Sequence, residues 1–489
     1  MAEKKMKLNY GKTILMGFGF LASSVAWGIY DPYVTTILNK MLSSSDMITH
    51  WSNVLVEKFP FLVTFMQAQG ENVGTAAAGF TLVPLFIGFI MTFDNIFGVI
   101  FQPTFGKLSD RCHSRFGKRR PFIFFGAPIA AVLFILIPRM QTIPSLMVCI
   151  IAFVFIMSLW RAPCVALMPD LTHPQLRSEG NAVINLMGGM GGLVALQAAT
   201  ILCLVFGWNK KTDVDIYTPW VFAFASVIMI ISTIVLFFFV KEPDSRVLSK
   251  GEENKNADLA SQRKAEKEAE KAEKARLKAI KLTKSEKTSL IFMLLGLFFL
   301  FCGTNSIQTF FALFAGEVLG KTVGEATMMM TIFAVASAIG ALPAGWLGKK
   351  FGRKKTIIAG LIAFIAAFLA YVIVQSVTGK GLTLVWVALV VGGFANMLIT
   401  VNTLPLVLEI GGTENIGTFT GYYYTATFSA QIATPIVYGI VRMLSGTYMS
   451  LFFYCPICFV VSALCILVVK HGEAIPQETI DKIEAENAD

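Results

Sequence analysis

A chain of 489 residues with 55% hydrophobic residues and only 15% Asp, Glu, Lys or Arg departs from soluble globular proteins, where the charged share is roughly 25%. The apolar residues gather in segments of about 20, the length that crosses a bilayer core as a helix, and the alternating segments of about 10 that a β-barrel needs are absent. The formal charge of +10 follows the joints between the segments instead of filling one domain, which excludes a nucleic-acid partner.

The segments predict an all-α polytopic membrane protein with twelve transmembrane helices in two six-helix bundles. The first six spans are expected at 12–38, 79–105, 121–139, 143–168, 178–206 and 218–240. The second six are expected at 289–315, 324–347, 356–376, 382–408, 415–443 and 448–470. The domains are then 1–240, a charged and partly helical linker 241–288, 289–470, and a tail 471–489. Lys and Arg crowd the N-terminus, the joints after the second and eighth spans, and the linker. That bias puts both termini in the cytoplasm of a plasma or bacterial inner membrane.

In the first span, Trp27 and Tyr30 are aromatic faces for an apolar sugar surface, although each alone suits helix packing equally. Asp31 in WGIYDPY either lines the outer half of a cavity or caps the kink that Pro32 introduces by removing a donor. The joint 39–78 is external in this scheme. It carries Trp51, Phe59, Phe61 and Phe65, so it lies partly against the membrane or folds over the outer mouth.

Asp94 in the second span is the most informative position. It stands about 12 residues before the following joint, roughly 18 Å along a helix and near the bilayer midplane. An isolated carboxylate there needs a cavity, a partner or a proton. Proton or cation coupling is the favoured role, with structural pairing and substrate contact as alternatives.

GKLSDRCHSRFGKRRP (Gly106–Pro121) is a tight turn with Asp110 among positives that include Arg111, Arg115 and Arg119. Positive-inside anchoring explains the lysines but leaves Asp110 without a role, so a cytoplasmic gate is favoured. FGKRR (Phe116–Arg120) recurs as FGRKK (Phe351–Lys355) at the same place in the second half, the internal symmetry of repeat-built transporters.

Arg161 lies inside the fourth span. Its charge cannot be shed, so it needs a carboxylate, substrate hydroxyls or a route to the inner surface. Asp170 and Glu179 follow at the inner end as gate carboxylates. GGMGG (Gly188–Gly192) suits close helix packing. The linker stretch Arg263–Ala279 is Ala, Glu, Lys and Arg with almost nothing else and reads as a solvated helix. Asn305 and Gln308 in the seventh span, with Asn396, Asn402 and Gln431 further on, are neutral amides that suit a hydroxyl-rich ligand. Glu409 closes the tenth span on the gate side.

No HExxH, GxSxG or GxxxxGK[ST] pattern occurs, so the sequence reads as neither an enzyme nor an ATP-driven pump. Cys455 and Cys458 form a CxxC without a second pair or a nearby His, and read as buried thiols. No metal site and no cofactor are expected.

QPTFGKLSDRCHSRFGKRRPFI (Gln102–Ile123) and RAPCVALMPDL (Arg161–Leu171) resemble the major facilitator superfamily, and within it the glycoside–pentoside–hexuronide cation symporters and their sucrose-transporter branch. The resemblance covers most of the transmembrane chain and omits the linker. It implies the major facilitator fold and proton-coupled uptake of a disaccharide or glucoside, such as sucrose or maltose, by alternating access. It also matches Asp170 with a functionally important aspartate of the branch. Two positions depart from the pattern. Gln102 stands before Pro103 where sodium-using melibiose carriers have an acid, which favours H+ as the coupling ion. Ala162 and Val165 replace a glycine and an arginine of the branch. The expectation is a monomeric sugar transporter in a lipid bilayer, with Asp94 and Asp31 in proton coupling. The alternatives are a carrier of another solute, such as an amphipathic export substrate or an organic ion, and a membrane scaffold or receptor without transport.

Overall fold

The computed structural model describes residues 8–59, 82–172, 176–242, 283–378, 382–410 and 416–471. The described residues form α1 (Tyr10–Ser43), α2 (Asp46–Lys58), α3 (Val83–Asp110), α4 (Arg120–Leu136), α5 (Ile143–Leu171), α6 (Arg177–Phe206) and α7 (Val214–Phe239). Six more follow: α8 (Lys284–Leu319), α9 (Val323–Phe351), α10 (Arg353–Thr378), α11 (Leu382–Ile410), α12 (Ile416–Ser445) and α13 (Leu451–Val468). All twelve expected spans coincide with long helices. Eleven are apolar enough throughout a window to cross a membrane by composition. The twelfth, α12, has 30 residues and is diluted by Thr420, Tyr422, Tyr423, Tyr424, Thr425, Thr427 and Gln431.

Several helices outrun the predicted spans through polar end turns, and α1 and α8 are capped there by Asn9 and Thr283. At the start of α8, Thr283 Oγ1 accepts the Glu286 N–H and the Glu286 carboxylate accepts the Thr283 N–H, the reciprocal arrangement that a Thr-x-x-Glu pattern makes. α2 was not foreseen as a helix. The predicted linker helix at Arg263–Ala279 lies outside the described residues, as do Phe61 and Phe65.

Packing divides the chain into two units. The first comprises Met1–Ser45, Phe93–Arg276 and Thr322–Glu325; the second comprises Asp46–Thr92, Leu277–Lys321 and Ala326–Asp489. The boundary cuts α3 between Thr92 and Phe93. The opening turns of α3 pack within the second unit, where Gly88 lies against the Pro435 backbone, Gly439 lies against Pro84, and Thr92 Oγ1 donates to the Ile432 carbonyl at 3.2 Å.

The two units repeat one pattern of helix pairs. In the first, α1 packs on α6 and α7, and α4 packs on α5 and α7. In the second, α8 packs on α12 and α13, and α10 packs on α11 and α13. Close approach explains Gly191 of GGMGG, where a Cβ would run into the backbone of Leu21 on α1, but not Gly189 or Gly192, where a Cβ would meet nothing. Helices in lipid gain from such small-residue contacts because apolar surface alone gives them no drive to associate. None of the eight cysteines is joined in a disulfide; Cys455 and Cys458 are buried on α13, with Cys455 beside Ser306.

Candidate functional site

Inside the first unit, α1, α3 and α5 bring together a group of polar side chains. Asp94 is close to the middle of α3 and half-buried. Its Oδ1 accepts the Asn95 N–H at 2.7 Å and the Asn95 Nδ2 at 2.9 Å. Asp94 also feels the repelling charge of Asp31 and the attracting charge of Arg161, so the three charged residues singled out in the first-half spans share one electrostatic site.

Asp31 follows the fully buried Tyr30 on α1. α1 runs unbroken through Pro32, and the hydroxyls around the proline come from other residues. Thr35 Oγ1 donates to the Asp31 carbonyl at 2.9 Å, and Thr36 Oγ1 donates to the Pro32 carbonyl at 2.7 Å. Among the described residues the Asp31 carboxylate accepts no hydrogen bond and no ion pair closes on Arg161. Trp27 Nε1 and the hydroxyls of Tyr30 and Ser23 are buried without a partner. Buried polar atoms in native proteins are nearly always bonded, so this set fits a hydrogen-bonding solute or water. Phe153 on α5 backs the group, 5.7 Å from Tyr30 in a stacked arrangement and 6.1 Å from Trp27.

Ser23, Trp27 and Tyr30 are spaced i, i+4, i+7, one face of α1. Ser23 was missed because a serine in an apolar run reads as small-residue packing; the spacing from Trp27 was its signal. A separate cavity of about 460 Å³ lies between α1, α7 and the turn after α4, and its lining includes Thr36, Lys40, Met41, Pro138 and Asp215. Asp94 and Arg161 are not in that lining, although the 2.8 Å Lys40–Asp215 ion pair is.

The joint before α4 holds a second group. Arg119 has only 7% of its side chain exposed, and its Nε donates to Asp170 Oδ2 at 2.8 Å. Its Nη2 pairs with Asp110, and its Nη1 reaches Ser109 Oγ and the Gly106 carbonyl. One guanidinium therefore ties the end of α3 to the end of α5. Burial works against the Arg119 charge, but Asp170 and Asp110 outweigh it and hold the group above its ordinary value. Glu242, just beyond α7, accepts the N–H of Arg119 at 2.9 Å and of Arg120 at 3.1 Å, which satisfies orphan donors at the start of α4. Burial pushes the Glu242 carboxyl up from its ordinary value, against the two backbone bonds that lower it. Sequence reading assigned Glu242 to the linker; its signal was an acid directly after a span.

Gly117 has φ +102°, and a Cβ there would strike the Glu242 side chain. Gly352 has φ +93° at the matching place in the second half. The repeated Phe-Gly thus marks a left-handed turn that glycine adopts without strain. Arg111 and Arg115 point to solvent and ring faces, with the Arg115 guanidinium 4.6 Å from the Phe116 centroid. The Glu179 side chain lies outside the described residues.

The second unit carries fewer charges. Arg353 pairs with Glu409, and Lys354 donates to the Leu467 carbonyl at 2.9 Å. Asn305 has a buried Nδ2 without a partner, whereas Gln308 is exposed. Asn396 and Gln431 are half-buried. Asn402 is committed to helix packing: its Nδ2 donates to the Ala344 and Leu398 carbonyls at 3.0 and 2.9 Å. At the other end of this unit, Arg442 donates to Glu317 at 2.7 Å and lies 4.5 Å over the Tyr448 ring. That pair, in which only Arg442 is buried, was not anticipated, because its partners are 125 residues apart.

The sequence profile of the Major Facilitator Superfamily matches residues 13–435 and 293–486. The chain is 28% identical over 192 residues to the sucrose transport protein SUC3 of Arabidopsis thaliana, a match that covers 32% of this chain and 31% of the relative. The aligned stretch is thus about a third of either protein. Among solved structures, the nucleoside transporter NupG aligns with a TM-score of 0.60 at 14% identity, covering 94% of this chain and 99% of that one. The D-xylose-proton symporter aligns at 0.56 and 17% identity, covering 93% and 96%. These structural likenesses show the fold, that of an all-α polytopic membrane protein.

Proposed function

Because this chain belongs to the Major Facilitator Superfamily, whose members are transporters and not enzymes, we propose that it takes up a disaccharide or glucoside together with a proton. It is a secondary active carrier embedded in lipid; the solute and the coupling ion are the proposed part. One observation carries the reading: Asp94, Asp31 and Arg161 share an electrostatic site beside the unpartnered Trp27 Nε1 and Tyr30 hydroxyl. A carboxylate far from bulk water exchanges a proton only when a path opens to it, and a neutral polyol suits donors and aromatic faces without adding charge.

In this scheme Asp94 holds the proton, Trp27 and Tyr30 bind the sugar, and Arg161 offers its donors to the sugar hydroxyls. Coupling follows if proton and sugar favour the same states of the carrier, an effect of about 1–3 kcal/mol in typical linked systems. Asp110, Arg119 and Asp170 form the cytoplasmic gate, closed when Arg119 joins α3 to α5 and released when the pairs separate. The partial similarity to a sucrose transport protein supports the solute class.

A second reading, an organic anion, rests on Arg161, on which no ion pair closes among the described residues. Uptake of labelled disaccharides into proteoliposomes under an imposed pH gradient separates the two. Sugar accumulation that follows the gradient supports the first. Failure of every sugar, with uptake of a carboxylate solute that Arg161→Gln abolishes, establishes the second.

A further inference from the structure

α2 is a helix whose surface divides into three sectors. At about 100° per residue, Ile48 and Ser52 lie on one side and are buried, at 2% and 4% exposure. Asp46, His50, Asn53 and Glu57 lie together on another and are exposed. Between them Met47, Trp51 and Val54 follow at i, i+4, i+7, with Met47 59% and Trp51 55% exposed. The apolar arc is thus half covered by protein and half bare.

The level of α2 along the membrane normal is set by its attachments. Ser52 Oγ accepts the Leu82 N–H at 3.2 Å, and Leu82 immediately precedes α3 within the same unit. α3 has 28 residues, about 42 Å at 1.5 Å per residue, which matches the roughly 40–45 Å of a bilayer with its headgroup regions. Its first turn therefore stands among headgroups, and Ser52 is hydrogen-bonded to that turn. On the other side, α1 ends at Ser43 and α2 starts at Asp46, so the preceding span also delivers the chain to the lipid boundary.

We propose that α2 is an interfacial anchor, lying in the headgroup region with Met47, Trp51 and Val54 in the acyl boundary of the leaflet opposite the basic joints. Tryptophan is enriched at this depth because its ring is apolar and its N–H is polar. An amphipathic helix buries its apolar face only about 5–10 Å into the boundary. Lys58, one turn beyond Val54, extends its stem along the same arc with its ammonium toward phosphate. The occupant of the bare sector is the lipid surface, because α2 is hydrogen-bonded at Ser52 to the residue that opens the next span, at headgroup level, and presents an exposed Trp there.

The chain has seven tryptophans, so the reporter is the emission difference between the native protein and Trp51→Phe. Both are reconstituted into phosphatidylcholine vesicles brominated either near the headgroup end or near the chain terminus. The anchor requires a difference signal shifted to the blue and quenched more by the headgroup-proximal bromines than by the deep ones. A signal quenched by neither set overturns it, whether Trp51 is in water or covered by protein. Stronger quenching by the deep bromines also overturns it, since α2 would then be sunk in the core.

Discussion

The two units share one arrangement of helix pairs, and each has a left-handed glycine within its basic joint, yet their charges differ sharply. The first unit holds Asp31, Asp94 and Arg161 among its spans, while the second has the amides Asn305, Asn396 and Gln431 at half-buried positions. The joints repeat the contrast. Arg119 gathers two carboxylates and a backbone carbonyl, whereas Arg353 has Glu409. Asp110 falls four residues after Gly106, and the matching place after Gly345 is Lys349. Duplicated packing therefore does not require duplicated chemistry: apolar contacts fix the scaffold twice, and the mid-helix charges are concentrated once among the described residues.

The strongest way to break this asymmetry is to neutralise the first unit. Asp94→Asn is expected to abolish gradient-driven accumulation, a loss of roughly tenfold or more from the size of typical coupling energies, while sugar counterflow persists. Normal accumulation by the variant would remove Asp94 from coupling. The second unit provides the contrast: Asn305→Ala should raise the KM for sugar about threefold, the loss of one hydrogen bond, and leave the accumulation ratio unchanged.

The joints sharpen the comparison through stability. Arg119→Ala should lower unfolding stability by about 2 kcal/mol, since it removes several charge-assisted hydrogen bonds whose carboxylate partners retain some access to water. Arg353→Ala should cost about 1 kcal/mol or less, because one part-exposed pair is lost. Apparent melting temperatures of the purified variants in the same detergent test the order, and equal losses would mean that the joints are equivalent.

The smallest effect concerns Glu242. Its folded carboxyl is held above the ordinary value by burial, so its contribution to stability is full below the ordinary carboxylate range. The contribution is then lost as pH rises through the raised value. Glu242→Gln stays neutral throughout and should flatten that part of the melting-temperature profile. An unchanged profile would show that Glu242 does not titrate in this window.

Legibility in the sequence varied with the range of the interaction. The spans and the joint motif could be read because hydrophobic length and glycine-basic clusters are local signals. Asp94 stood out because a carboxylate amid apolar residues is costly wherever the helix turns. Glu242 and Ser23 were passed over, one beside a linker and one inside an apolar run, since neither breaks a local rule. Asn402 looked like a ligand-binding amide, but α9 comes close enough at Gly348 and Ala344 for its side chain to bond the Ala344 carbonyl. Arg442 and Glu317 meet across 125 residues, a separation that no periodicity encodes.

The sequence by itself determined that this chain crosses the membrane many times, where its spans fall, and that its two halves are alike. Those features rest on the transfer of apolar side chains and backbone amides into hydrocarbon, which each segment settles alone. Only the tertiary structure decided which charges meet, which amides are spent on packing, and which face of α2 stays bare. Hydrogen bonds and ion pairs act over a few ångströms, and the residues they join become neighbours only when the helices pack.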